Sequence, residues 1–254
     1  MPAPLVPVVF PSIYKVGGAM APVPKRMAFC TPDTKLALLA LSKDVEAAGG
    51  QLRLSDLFRS RDMQLQAHMD FVSGKKSAFS PAPGGSMHEA GRAFDIDVGN
   101  LGITLKKFWE LAARRGVVPI IKAPDPSASE AWHFECRGTF ATVLKYYASG
   151  QGTNMKAARA MAAAAIAALG IELDDFPGRN KEVRLQSALI RLGGDPGNID
   201  GSPGARTRKA VEAMGIAGAT LEEQLQDAEA RLAQVAPTEW HDKSMVEDNP
   251  SVLV

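Results

Sequence analysis

Two short stretches decide the reading of this chain: Ser86-Met87-His88-Glu89-Ala90-Gly91-Arg92-Ala93-Phe94-Asp95-Ile96-Asp97 and Ser129-Glu130-Ala131-Trp132-His133-Phe134-Glu135. Together they hold two of the four histidines and a concentration of carboxylates. A catalytic zinc site takes three protein ligands, commonly His with a carboxylate, and leaves a fourth position for water. His88, Asp95 and His133 supply such a set. His88 and Asp95 are seven apart and cannot share a face of one unbroken strand, where like-facing residues are an even number apart. Gly91 lets the chain turn between them, leaving His88 on a loop and Asp95 on the strand that follows. His133 then arrives from a second strand. Asp97 has the same strand parity as Asp95 and is the alternative ligand. Glu130 lies at the loop–strand junction before His133. It is placed to act as a base, because a metal brings the pKa of bound water towards about 7.

The flanking sequence predicts an α+β unit. Helices are expected over 34–48, with Leu36, Leu39, Ala40 and Val45 near one face, over 61–72, 104–115 and 139–149. Strands are expected over 51–58, after the turn in 88–98, over 117–121 and over 131–136. These short strands suit a small antiparallel sheet with flanking helices. Residues 1–34 are rich in Pro and Gly and read as an irregular covering segment. Cys136 and Glu135 fall on opposite faces of the second strand, so Cys136 reads as a buried hydrophobe. Glu135 shares the face of His133 without a role in the motif. Trp132 reads as core or pocket wall, and His68 and His241 as bystanders.

The pattern S-x-H-x-x-G-x-A-x-D followed by E-x-W-H resembles the zinc D-alanyl-D-alanine carboxypeptidases, the VanY-like peptidases, over roughly residues 52–138. The resemblance implies zinc held by His88, Asp95 and His133, and its register selects Asp95 over Asp97. It implies that Glu130 is the catalytic base and acid. In that family a Y-R-S string carries an arginine that holds the substrate. Phe58-Arg59-Ser60 matches it with Phe for Tyr. Arg59 is therefore implied as a catalytic and substrate-binding residue, with Arg61 as the lesser candidate. Ser86 matches the family's substrate-contacting serine. The implied chemistry is metal-assisted peptide hydrolysis without an acyl-enzyme.

Residues 149–153 (Ser-Gly-Gln-Gly-Thr) read as a linker. Beyond it, helices are expected over 155–169, 181–192 and 207–214, the middle one striped by Leu185, Leu189 and Leu192. The string L-Q-x-x-L, then L-G, then I-D-G-x-x-G-x-x-T-x-x-A-V resembles the three-helix peptidoglycan-binding domain. This implies wall contacts at Asp200, Gly201, Arg206 and Thr207. Glu212-Ala213-Met214 stands where that family carries an aromatic-Gln pair. The expected organisation is a peptidase domain over 1–149, an all-α binding domain over 153–215, and a helix (221–235) with a frayed acidic tail from Pro237 within 216–254.

Composition supports this division. Charged residues make up 22% of the 254, and the net charge of +1 is a sum of +5 over 1–149, +2 over 150–215 and −6 over 216–254. No basic patch interleaved with aromatics argues for nucleic acid. No run approaches the roughly 18 apolar residues of a membrane span. Two cysteines make no disulfide framework. The N-terminus lacks the basic n-region of a secretory signal, so a wall-acting protein is expected to leave the cell by a holin, a secretion system or another route. The expected partner is peptidoglycan, both stem peptides and glycan, and the expected state is a monomer. The E-x-W-H string favours a D,D-carboxypeptidase removing terminal D-Ala. An endopeptidase of the phage endolysin or secreted-effector type is the alternative. A non-catalytic wall-binding protein is the reading from another class, and the intact Glu130 speaks against it.

Overall fold

Strand β6 (Ala93–Ile96) and strand β8 (His133–Cys136) pair antiparallel, with Ala93 opposite Glu135, Phe94 opposite Phe134 and Asp95 opposite His133. Around this pair a computed structural model describes residues 2–242. Strands β2 (Pro11–Val16), β3 (Ala19–Pro22), β5 (Leu54–Asp56) and β7 (Val117–Pro119) complete a six-stranded sheet of order β3-β2-β5-β6-β8-β7. The sheet is mixed, not purely antiparallel as expected, because β2 runs parallel to β5. The N-terminal segment is correspondingly more than a covering. It contributes two strands of this sheet, and β1 (Val6–Pro7) pairs with β4 (Phe29–Cys30) in a second, two-stranded sheet. A bulge lies in the β5–β6 pairing between Leu54 and Asp56, which shortens β5 relative to the expected 51–58.

Period-two alternation places Phe94, Ile96 and Phe134 in the core and Asp95 and His133 on the opposite face. Phe134 stacks on Phe94 and takes Phe108 edge-on at 4.8 Å between centroids. Phe108 belongs to α3 (Leu105–Arg114), whose start is capped by Thr104 Oγ1 accepting from Lys107 N. Helix α1 (Pro32–Ala47) buries Thr34, Leu38, Leu41 and Val45. This stripe is rotated from the expected one. Several apolar residues compete on α1, and packing on the sheet selects among them. Helix α2 (Arg61–Val72) begins at Ser60, whose hydroxyl accepts from Met63 N.

Contact clustering divides the chain into two units. The sheet unit comprises Leu5–Ser80, Met87–Arg137 and residues 241–242. The other comprises residues 2–4, Pro81–Ser86 and Gly138–Trp240. This second unit is helical and holds α4 (Ala141–Ala148), α5 (Ala157–Ala168), α6 (Asn180–Arg191), α7 (Ala205–Ala213) and α8 (Leu221–Val235). Its five helices among the described residues correspond to the five helical spans expected from 139 onward, of which three were assigned to the binding domain. Helix α4 belongs to it through two tyrosines. Tyr147 Oη accepts from Ile199 N (2.7 Å) and donates to Asn154, while Tyr146 Oη donates to Asp195 and Gly197 O. Helix α8 adds Leu225, Ala228 and Leu232 to the core of Leu185, Leu189 and Val211. Pro237 does not begin a frayed tail: a 3-10 turn at Pro237–Glu239 carries a buried Glu239 that pairs with Arg191 (2.5 Å) and accepts from Thr139 N and Oγ1. The remainder of the expected acidic tail, 243–254, lies outside the described residues.

The turn between the two halves of the first motif is set by Gly91. Its N–H donates to His88 O (3.0 Å), its φ is +62°, and an added Cβ would stand 2.5 Å from Leu5 Cδ2 and 3.1 Å from Cys30 Cα. Left-handed strain and overpacking would act together at this position. Gly91→Ala is expected to destabilise the protein by about 2–4 kcal/mol. Urea unfolding measures this, and an unchanged midpoint would contradict the steric argument.

Candidate metal centre

Register and turn bring three donor atoms together. His133 Nδ1 lies 2.9 Å from Asp95 Oδ1, His88 Nε2 lies 3.3 Å from Asp95 Oδ1, and the two ring nitrogens are 3.2 Å apart. These are the three residues among those described that group as a potential metal-ion site. A tetrahedral ion with bonds near 2.1 Å separates its ligand atoms by about 3.4 Å, so the triangle fits zinc with little adjustment. The other nitrogen of His88, Nδ1, donates to Leu57 O at 2.6 Å. That bond fixes the tautomer and leaves the Nε2 lone pair facing the triangle. Asp97 is not part of the cluster. Its carboxylate accepts from Asn100 Nδ2 (2.9 Å), just past the strand end.

The electrostatics are those of a cation site. Burial acts to raise the Asp95 carboxyl, but the two imidazoles outweigh it and hold it well below the usual carboxylate range. Burial likewise opposes charge on His133, yet Asp95 and Glu135 push its pKa up to about 10.

Glu130 has two unusual features. It is the one non-glycine residue with positive φ among the described residues, at +68°. Its Oε1 is buried and has no hydrogen-bond partner. Burial, the largest influence on it, raises its pKa. A strained backbone carrying a buried, unsatisfied carboxylate oxygen is costly twice over, and such costs gather at functional sites. His133 N donates to Glu130 O at 3.0 Å, which closes the turn presenting this side chain beside the ligand strand.

Arg59 reaches the same place. Its Nη2 lies 3.6 Å from Asp95 Oδ2, its Nε donates to Asp56 Oδ2 (2.6 Å), and its Nη1 donates to Gln64 Oε1 (3.2 Å). The backbone joins in, with Arg59 N donating to His88 O. Arg61 is instead exposed and lies 3.6 Å from Asp62. Ser86 is buried and falls in the segment that clusters with the helical unit. His68 Nδ1 bonds Ser80 O, away from the cluster. Both cysteines are free and buried, and burial pushes the Cys136 thiol up to about 12.

Sequence reasoning missed two residues. Arg92 is fully buried, donates through both terminal nitrogens to Asp33 and also to Cys136 O, and so ties the Gly91 turn to the start of α1 and to β8. Glu135 lies 3.6 Å from His133 Nε2. Only its strand parity with His133 hinted at this.

In the helical unit, Gln186 Oε1 accepts from Asp200 N and Gly201 N, and Asp200 Oδ1 accepts from Gln186 Nε2 and Ser202 N. Gly201 and Thr207 are buried, the latter donating to Pro196 O. Arg206 is exposed and pairs with Asp195.

No family model and no curated protein sequence matches this chain. Several solved structures resemble it, three of which follow. The LdcB LD-carboxypeptidase structure, described as revealing the basis of peptidoglycan recognition, is 19% identical with a TM-score of 0.40, over 52% of this chain and 66% of that one, just under two thirds. The L,D-carboxypeptidase DacB from Streptococcus pneumoniae is 23% identical with a TM-score of 0.35, over 58% and 91%. DacB from strain D39 is 24% identical with a TM-score of 0.35, over 54% and 85%.

Replacing Glu130 by Gly relieves the backbone strain and removes the orphaned oxygen. Glu130→Gly is expected to raise the midpoint of thermal unfolding of the metal-free protein, by an amount corresponding to about 1 kcal/mol or more. A lowered midpoint would show that Glu130 is held there by stabilising contacts.

Proposed function

We propose that this chain is a zinc-dependent peptidase acting on peptidoglycan stem peptides, most specifically a D,D-carboxypeptidase that removes a terminal D-Ala. The observation that carries a hydrolytic reading is the His88–Asp95–His133 triangle with Glu130 beside it, on a strained backbone and with an unpartnered Oε1. The substrate class rests on the two motifs and on the peptidoglycan-binding signature of the helical unit. A zinc ion held by the three ligands would supply Lewis acidity towards the scissile carbonyl and a lowered pKa for water.

The chain's own residues supply the rest. Glu130 Oε1, with no competing donor, accepts a proton from the attacking water and delivers it to the leaving amine nitrogen. Its raised pKa brings it closer to the operating pH, which suits a group that must both take and give a proton. Arg59, held by Asp56 and Gln64, places a fixed positive charge beside Asp95, where a developing oxyanion or a substrate carboxylate is stabilised. Ser86 is assigned to substrate contact. In the helical unit, Asp200 and Arg206 are the exposed members of the wall-binding set, and Gly201 and Thr207 shape the turn that carries them. Such anchoring raises local substrate concentration without altering the chemistry. The place of action is the cell wall, and no helix among the described residues is long and apolar enough to cross a membrane.

The test is digestion of defined muropeptides with zinc-loaded protein, read by mass spectrometry. Loss of one alanine from a pentapeptide, abolished by chelation and by Glu130→Ala while wall binding persists, is the expected result. Loss of alanine from a tetrapeptide would reassign the bond as L,D. Release of whole stems or cleavage of cross-bridges would make the protein an endopeptidase of the endolysin or effector type. Absence of any chelator-sensitive product would leave a wall-binding protein.

A further inference from the structure

Strand β8 carries more than His133 alone. His133, Glu135 and Arg137 are two apart in succession and point to one face as the strand ends. His133 presents Nδ1 to the triangle, so its Nε2 points the other way, and Glu135 Oε1 lies 3.6 Å from that nitrogen. The second oxygen of Glu135, Oε2, accepts from Arg137 Nε at 2.6 Å. Glu135 is buried, and a buried carboxylate is costly unless its charge is met. Here it is met from both sides, by an imidazole on one oxygen and a guanidinium on the other. The outer nitrogen of His88 donates to the backbone carbonyl of Leu57, whereas that of His133 faces a carboxylate.

We propose that Glu135 is a positioning residue for the metal centre: it holds the proton of His133 on Nε2, so that Nδ1 is the ligand atom, strengthens that nitrogen as a donor, and is itself held in place by Arg137. This rests on the metal-site reading above. Carboxylate backing of a ligating imidazole fixes ring orientation and basicity, and its loss weakens metal binding by about 10–100-fold. Glu135 acts here through His133, so its effect is expected on metal affinity and on the electronic state of the site.

The experiment measures zinc affinity of the full chain at fixed pH by competition with a chromophoric chelator. It compares wild type, Glu135→Gln, Glu135→Ala and Arg137→Met, and adds visible absorption spectra of the cobalt(II)-substituted proteins. Glu135→Ala is expected to bind zinc about 10–100-fold more weakly, and the isosteric Glu135→Gln, which keeps the packing but loses the charge, about tenfold more weakly. Arg137→Met is expected to weaken binding less than Glu135→Ala. The cobalt spectrum of Glu135→Gln is expected to shift. A purely structural Glu135–Arg137 pair would lower the unfolding midpoint of the metal-free variants and leave zinc affinity and the cobalt bands unchanged. Zinc affinity of Glu135→Gln within twofold of wild type, with an unshifted cobalt spectrum, overturns the inference while leaving the metal site intact. A wild type that binds no stoichiometric zinc overturns instead the metal-site reading on which it stands.

Discussion

The antiparallel register that sets Asp95 opposite His133 is the constraint on which the rest of the site depends. Strand side chains alternate with a period of two, so a slip of one residue between β6 and β8 would carry one ligand into the core and a phenylalanine out to the surface. The same alternation that packs Phe94 against Phe134 below the sheet therefore places carboxylate against imidazole above it. Core packing and ligand placement are one geometric decision. The hydrophobic side of the pair supplies the larger free energy, since burying two phenylalanines outweighs what a pair of polar groups contributes net. The apolar face thus holds in place a polar face that would be unfavourable alone.

Residues of the first motif that bind nothing are as constrained as those that do. Gly91 sits where a side chain would meet Leu5 and the backbone of Cys30, and Arg92 is enclosed between Asp33 and the carbonyl of Cys136. Removing Asp33 would take the opposing carboxylate from a buried guanidinium, which is costly. The motif can be understood as a turn that has to close with its buried arginine satisfied, so that His88 and Asp95 emerge on the same side of the sheet.

How much of this the sequence disclosed follows from the range of the interactions involved. Helices α2 and α8 match the expected spans of 61–72 and 221–235, because each starts at a Ser or Thr cap and ends where its pattern ends, all within a few residues. The His88–Asp95–His133 cluster was legible because its three residue types stand in two compact strings. The partners that depend on distant chain segments were not legible. Asp33 and Arg92 are 59 residues apart, and Arg191 and Glu239 are 48 apart, with no local pattern announcing either pair. The mixed sheet was hidden for a similar reason: the Pro- and Gly-rich opening segment shows little alternation, and while β2 pairs locally with β3, the parallel pairing that makes the sheet mixed sets Ser12 opposite the distant Leu54. The strain at Glu130 leaves no trace in composition, since any side chain can be forced to positive φ when its surroundings demand it.

The two thiols show one further consequence of where this protein is proposed to work. Thiolate is the best zinc ligand among the side chains and also the form of cysteine that oxidants attack. Cys30 and Cys136 are buried, and burial holds both as neutral thiols far above physiological pH. An exported metalloprotein with free, exposed cysteines would face wandering of its metal to sulfur and irreversible oxidation. Here both sulfurs are shut away from solvent, and the candidate metal donors are nitrogen and oxygen atoms.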